Sequence, residues 1–193
     1  MMKICSVILA GGQSTRMGTN KSFLPLQNKT VIEYIVDEMQ SISDVMVINS
    51  NEPASYSFLG LPVIQDRYIN SGPLAGLEAV LSQVDAEIFF VSACDTPFIN
   101  HHIYLYLLDQ LEGFDAVIPI YKGKMHPLSG IYRNTIVPPL QNQLDNEERK
   151  VRLLFDHVHV NYIDEFANIS NKDLEKHFFN MNNQTQYEEA KRL

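Results

Sequence analysis

The chain has no tryptophan, only two cysteines and no surplus of positive charge. Cys5 and Cys94 lie in apolar, strand-like segments and form no metal-binding or redox spacing, so both are expected to be small buried hydrophobes. Fifteen Lys and Arg against 23 Asp and Glu give a net charge of −8, which removes the basic footprint of a nucleic-acid binder. No apolar run approaches the roughly 18–20 residues that a membrane-spanning helix needs. Lys3 is followed by a short apolar run and then glycines, without the cleavage region of a signal peptide. A cytoplasmic protein with neither membrane nor nucleic acid as partner is therefore expected. A G-x-S-x-G nucleophile elbow is missing too, which leaves a hydrolase triad little support. No linker, repeat or low-complexity stretch divides the 193 residues, and one domain over 1–193 is expected.

What is present is alternation. Residues 4–10, 45–49, 62–65, 88–93 and 116–120 read as strands, and 30–40, 73–83 and 101–111 as helices between them. At 30–40, Val31, Ile35 and Met39 share one side, with Ile32 and Val36 beside them. After residue 120 the rhythm changes. Tyr121-Lys122-Gly123-Lys124 has turn composition, 127–133 reads as a returning strand, and 134–144 and 151–155 as helices. Residues 157–163 alternate like an edge strand, and 184–193 form a polar helix capped by Asn183, with Gln186 three positions on. Such alternation predicts a three-layer α/β fold with a mostly parallel central sheet. Ligands of such sheets bind at the C-terminal ends of the strands.

The strand ends carry the chemistry. The first runs into Gly11-Gly12-Gln13-Ser14-Thr15-Arg16-Met17-Gly18-Thr19-Asn20-Lys21. The glycine spacing is not G-x-G-x-x-G, and Gly18 is separated from Lys21 by two residues, so neither a dinucleotide fingerprint nor a Walker A loop is present. Backbone N–H groups near Gly11, Gly12 and Ser14, followed by Arg16 and Lys21, read as a different phosphate cradle suited to a nucleoside triphosphate, the alternative being a flexible glycine loop with solvated cations. An acidic protein that handles phosphates must gather its cations locally or recruit a metal. Asn49, at the second strand end, either reads a base edge or makes a turn. Asp66, at the third, either accepts from a ribose or guanine edge or is an exposed loop residue. In Gly72-Pro73-Leu74-Ala75-Gly76, Pro73 suits the first helical position. Gly76 costs about 1 kcal/mol relative to Ala in a helix, which points to close approach by a ligand or another backbone. The fourth strand ends in Cys94-Asp95-Thr96-Pro97. If Thr96 caps a helix beginning at Pro97, the Asp95 carboxylate is free for a hard cation such as Mg²⁺; otherwise Asp95 is itself the cap. His157 and His159 share a strand face without an evident carboxylate or thiol partner, and His126, after a turn, either reaches the mouth of the sheet or is a loop histidine.

These residues resemble the molybdenum cofactor guanylyltransferases, nucleotidyltransferases with a Rossmann-like sheet. The likeness runs through Leu9-Ala10-Gly11-Gly12, Arg16-Met17-Gly18, Lys21, Asp66, Gly72-Pro73-Leu74-Ala75-Gly76, Cys94-Asp95-Thr96-Pro97, His126-Pro127-Leu128 and Asn180-Met181-Asn182, in order along essentially the whole chain. It implies transfer of GMP from GTP to the terminal phosphate of molybdenum-loaded molybdopterin, with release of pyrophosphate. The alternative is a related nucleotidyltransferase using CTP or a sugar-phosphate acceptor. By the resemblance, Leu9, Ala10, Gly11, Gly12, Lys21, Asn49, Asp66 and Asp95 bind GTP. Arg16, Lys21 and Asp95 are catalytic, Asp95 holds Mg²⁺, and Asn180 and Asn182 hold the pterin. Transient contact with a molybdopterin-supplying protein and with apo-molybdoenzymes is implied as well. The chain departs from the family pattern at Asn182-Asn183-Gln184, where Thr-Pro commonly follows the paired Asn.

Overall fold

The computed structural model describes residues 2–11 and 20–193. Gly12 and Arg16, both expected in the phosphate cradle, lie outside the described residues.

The chain opens with β1 (Ile4–Leu9), then a small antiparallel hairpin of β2 (Pro25–Leu26) and β3 (Lys29–Thr30) that leads into α1 (Val31–Gln40). There follow β4 (Val45–Asn49), a 3₁₀ segment (Pro53–Leu59), β5 (Val63–Ile64), α2 (Pro73–Gln83), β6 (Ile88–Ala93) and α3 (His101–Asp109). The second half contains β7 (Ala116–Tyr121), β8 (Lys124–Met125), β9 (Ile131–Arg133), α4 (Val137–Asp145), α5 (Val151–Leu154), β10 (Val160–Ile163), α6 (Asn171–His177) and α7 (Gln184–Ala190). The main sheet runs β10-β7-β9-β6-β1-β4-β5, with β8 hairpinned onto β7. β1 pairs in parallel with both β4 and β6, β4 with β5, and β7 with β10. Only β9, between β6 and β7, and the short β8 run antiparallel among these strands.

Strand alternation sorts the apolar residues into two cores. Cys5, Val7 and Leu9 of β1 join Phe89 and Val91 of β6 under α2, α4 and α5. Ile8, Ile88 and Phe90 face the other way, against α1, α3, α6 and α7. The sheet is thus covered on both faces, the condition under which parallel strands read as unbroken apolar runs. The mostly parallel, three-layer expectation is met. No described helix is long and apolar enough to cross a membrane.

Several local expectations are corrected. The returning strand expected over 127–133 is a 3₁₀ turn, Pro127–Ser129, followed by the three-residue β9. No helix starts at Pro97: α3 begins at His101, capped by the Asn100 side chain, and Thr96 Oγ1 donates back to the Ala93 carbonyl at 2.8 Å. Asp95 is therefore not a helix cap. Cys5 is buried as expected, whereas Cys94 is only half-buried and forms part of a crevice wall.

Candidate functional site

A crevice of about 530 Å³ opens where β1, β4 and β6 end. This is the place that a parallel sheet reserves for ligands, because loops from adjacent strands diverge there. One side is made by Leu9, Gly11, Lys21, Asn49 and Pro73, the floor by residues 93–96, and the far side by Lys124, His126, Leu128 and Asn180.

Lys21 follows directly on Asn20, whose side chain caps a short 3₁₀ turn over Lys21–Phe23 by accepting from Ser22 N. That turn is fixed from beneath by Tyr56, which is fully buried. The Tyr56 hydroxyl accepts from Asn20 Nδ2 at 3.1 Å and lies 3.3 Å from both the Ala10 carbonyl and Ser22 Oγ. Ala10 is itself buried, and its N–H donates to the Asn49 carbonyl at 2.9 Å. The start of the glycine loop is thereby held to the end of β4. Nothing in the local pattern around Tyr56 announced this role; its partners are far away in sequence.

Asn49 is almost wholly buried, at 3% exposure, yet its side chain borders the crevice. Its amide donates to the Ile64 carbonyl at 3.1 Å and to Asp66 Oδ1 at 2.8 Å. Asp66 also accepts from Asn51 Nδ2 at 2.9 Å and does not itself line the crevice. The close approach expected at Gly76 exists, but the visitor is neither ligand nor backbone. A Cβ at Gly76 would stand 2.1 Å from Asn49 Oδ1. The neighbouring Gly72 adopts φ 64°, ψ −155°, a conformation essentially restricted to glycine, and Pro73 starts α2 immediately after it. Arg67, next to Asp66, is bound to the buried Glu78 of α2, which also accepts from Gln141 of α4 at 2.8 Å. The Asp66 loop is thus tied to the helical layer.

Asp95 projects into the crevice from the end of β6. Burial raises its carboxyl above the usual carboxylate range, and the charge of Lys21 opposes that rise. Its backbone carbonyl accepts from Met181 N at 2.8 Å. In the orientation that its surroundings require, the Asn180 amide nitrogen donates to both Asp95 oxygens, at 2.9 and 2.7 Å. Asn182 Oδ1 accepts from Lys21 Nζ at 3.3 Å. The segment before α7 therefore meets both Lys21 and Asp95. Of the expected site residues, Leu9, Gly11, Lys21, Asn49, Asp95 and Asn180 come together on the crevice, while Ala10, Asp66 and Asn182 stand immediately behind it.

Of the two readings open for His126, the structure shows the one at the mouth of the sheet, on the crevice wall. Its ring packs 4.5 Å from that of Phe178, and burial together with Lys124 lowers its basicity. Among the described residues no group of three or more His, Cys, Asp and Glu converges. A metal at Asp95 would therefore complete its shell with water and phosphate oxygens, which is how Mg²⁺ commonly binds.

A mostly parallel α/β sheet with a crevice at its strand ends, lined by Lys21 and Asp95, is suited to a ligand that carries phosphates and a cation. The MobA-like NTP transferase domain matches residues 6–160, and the chain belongs to that family. It is 35% identical over its full length to a probable molybdenum cofactor guanylyltransferase of Carboxydothermus hydrogenoformans, covering 98% of that protein. It is 32% identical to a protein of the same description from Clostridium perfringens, over 98% of this chain and 96% of the relative. Its fold is that of the molybdopterin-guanine dinucleotide biosynthesis protein A of Archaeoglobus fulgidus, with a TM-score of 0.83, 23% identity and 97% of each chain covered.

Proposed function

We propose that the chain transfers GMP from GTP to the terminal phosphate of molybdenum-loaded molybdopterin and releases pyrophosphate, with residues 1–193 acting as one catalytic unit. The observation that carries this reading is the meeting of Lys21, Asn49 and Asp95 on one crevice in a chain about one third identical to guanylyltransferases over its length. A CTP-dependent or sugar-phosphate activity has no comparable support.

The acceptor oxygen is already anionic, so no protein nucleophile and no general base are required. A bond forms between that oxygen and the α-phosphorus, the bond from the α-phosphorus to the bridging oxygen breaks, and pyrophosphate leaves with the electron pair. The obstacle is repulsion between two phosphates, which calls for positioning and charge stabilisation. In this reading Leu9, Ala10, Asn49 and Asp66 form the nucleoside end, Asp66 by holding the Asn49 amide. Gly11, Gly12, Arg16 and Lys21 receive the phosphates and stabilise the departing pyrophosphate. Asp95 offers the hard oxygen donors that Mg²⁺ prefers, and an ion held there would supply charge neutralisation for the phosphates. The reaction belongs in the cytoplasm, with passing contacts to a molybdopterin-supplying protein and to apo-molybdoenzymes.

A pyrophosphate-release assay with each of the four nucleoside triphosphates, with and without molybdopterin, tests this reading. Release is expected only with GTP, Mg²⁺ and the acceptor together. Release with CTP in place of GTP, or GTP binding without any release, would contradict it.

A further inference from the structure

Asn180 and Asn182 face the protein's own charged groups. Asn180 donates to both oxygens of Asp95, Asn182 accepts from Lys21, and the backbone N–H of Met181 between them binds the Asp95 carbonyl. Three successive residues from one segment thus join Asp95 on the crevice floor, just past β6, to Lys21 in the 3₁₀ turn on one side. The segment is itself firmly seated. Met181 is fully buried, Asn182 N donates to Gln186 Oε1 at 2.7 Å, and Asn183 caps α7 by accepting from Gln186 N at 2.9 Å. Tyr187 of α7 in turn donates to the Pro25 carbonyl at 2.5 Å, four residues beyond Lys21.

We propose that Asn180 and Asn182 are positioning residues for the triphosphate-and-metal end of the site, and not only contacts for the acceptor. Asn180 fixes the rotamer of Asp95 and occupies one lone pair on each oxygen, so each oxygen keeps a further lone pair for a cation. Outer-shell partners of this kind orient a metal's carboxylate ligand, and their loss commonly costs about 10- to 100-fold in metal affinity. Asn182 restrains the flexible Lys21 side chain beside Asp95 until a phosphate takes its place. The chain end therefore assembles the nucleotide site. This inference rests on the reading that Asp95 and Lys21 bind GTP with Mg²⁺.

The test is calorimetric titration of GTP into the full chain without acceptor, in Mg²⁺ and in EDTA, for the parent and for Asp95→Ala, Asn180→Ala and Asn182→Ala. Asn180→Ser, too short to reach Asp95, guards against a folding defect peculiar to Ala, and a thermal melt checks each variant. Asn180→Ala and Asn180→Ser are expected to weaken GTP binding at least tenfold in Mg²⁺ and to leave the weaker binding in EDTA unchanged. Asn182→Ala is expected to weaken binding in both media. Folded Asn180 variants that bind GTP and Mg²⁺ like the parent, with only the acceptor KM raised in turnover, would overturn the inference. Unchanged binding by Asp95→Ala would instead overturn the reading beneath it.

Discussion

At Gly76 a single methyl group separates two opposing effects. In an isolated helix, Ala in place of Gly is worth about 1 kcal/mol of added stability. Here the new Cβ would stand 2.1 Å from Asn49 Oδ1, 2.7 Å from its Cγ and 3.2 Å from Leu9 Cδ2. Asn49 cannot withdraw without releasing Asp66 and the Ile64 carbonyl. Overpacking of this kind costs about 1–3 kcal/mol and outweighs the propensity gain. Gly76→Ala is expected to lower stability in urea unfolding and to raise the KM for GTP. A variant more stable than the parent with unchanged KM would show that Asn49 has room to move. The sequence exposed the helical glycine as an anomaly but not its cause, because the approaching group lies 27 positions earlier in sequence and arrives by the packing of α2 on β4. The same holds for Tyr56 and for the Asn180 bond to Asp95, in which the partners meet only once the layers are assembled.

Among the elements, those buried on both faces were the most legible. β1, β4 and β6 are predominantly apolar, each with a single polar residue (Ser6, Asn49 and Ser92), and α1 shows a clear apolar stripe, so pattern and packing point the same way. The short amphipathic pieces were not. α6 has a single aliphatic residue, Leu174, among Asn171–His177, and its place is fixed by Phe178, whose ring meets Tyr121 at 5.0 Å and His126 at 4.5 Å. His177 ends this helix fully buried, with Nδ1 accepting from Asn100 N at 2.9 Å and Nε2 without a partner. Burial pushes its pKa from 6.5 down to about 3, with His126 adding to the effect. The folded state refuses a proton that the unfolded chain accepts over this range. The stability contribution is therefore fully present above pH 6.5 and is lost as pH falls from 6.5 towards 3. The slope for one proton is about 1.4 kcal/mol per pH unit. Urea unfolding between neutral and mildly acid pH is expected to show this decline in the parent and a shallower one in His177→Gln. Equal slopes in the two proteins would mean that His177 is protonated in the fold.

Over the whole molecule the net charge of −8 and the anionic substrates pull in opposite directions. The fold answers this locally by bringing Lys21, after β1, and Asp95, after β6, to one crevice, held there by the segment before α7. The order of the strand-end residues along the chain, together with the rule that parallel sheets bind at their C-terminal ends, made that meeting foreseeable. The third wall, Lys124 to Ser129, was legible only in outline, as a turn and a returning strand; the 3₁₀ turn over Pro127–Ser129 and the placing of the short β9 between β6 and β7 depend on the assembled sheet. The central claim is that guanine nucleotide and a divalent ion share this crevice. Its most direct measurement is the anomalous difference density of a crystal grown with Mn²⁺ and a non-hydrolysable GTP analogue. The account predicts a peak coordinated by the Asp95 carboxylate and a triphosphate oxygen, with the phosphates beside Gly11 and Lys21. A manganese peak remote from Asp95, or a nucleotide bound outside the crevice, would contradict it.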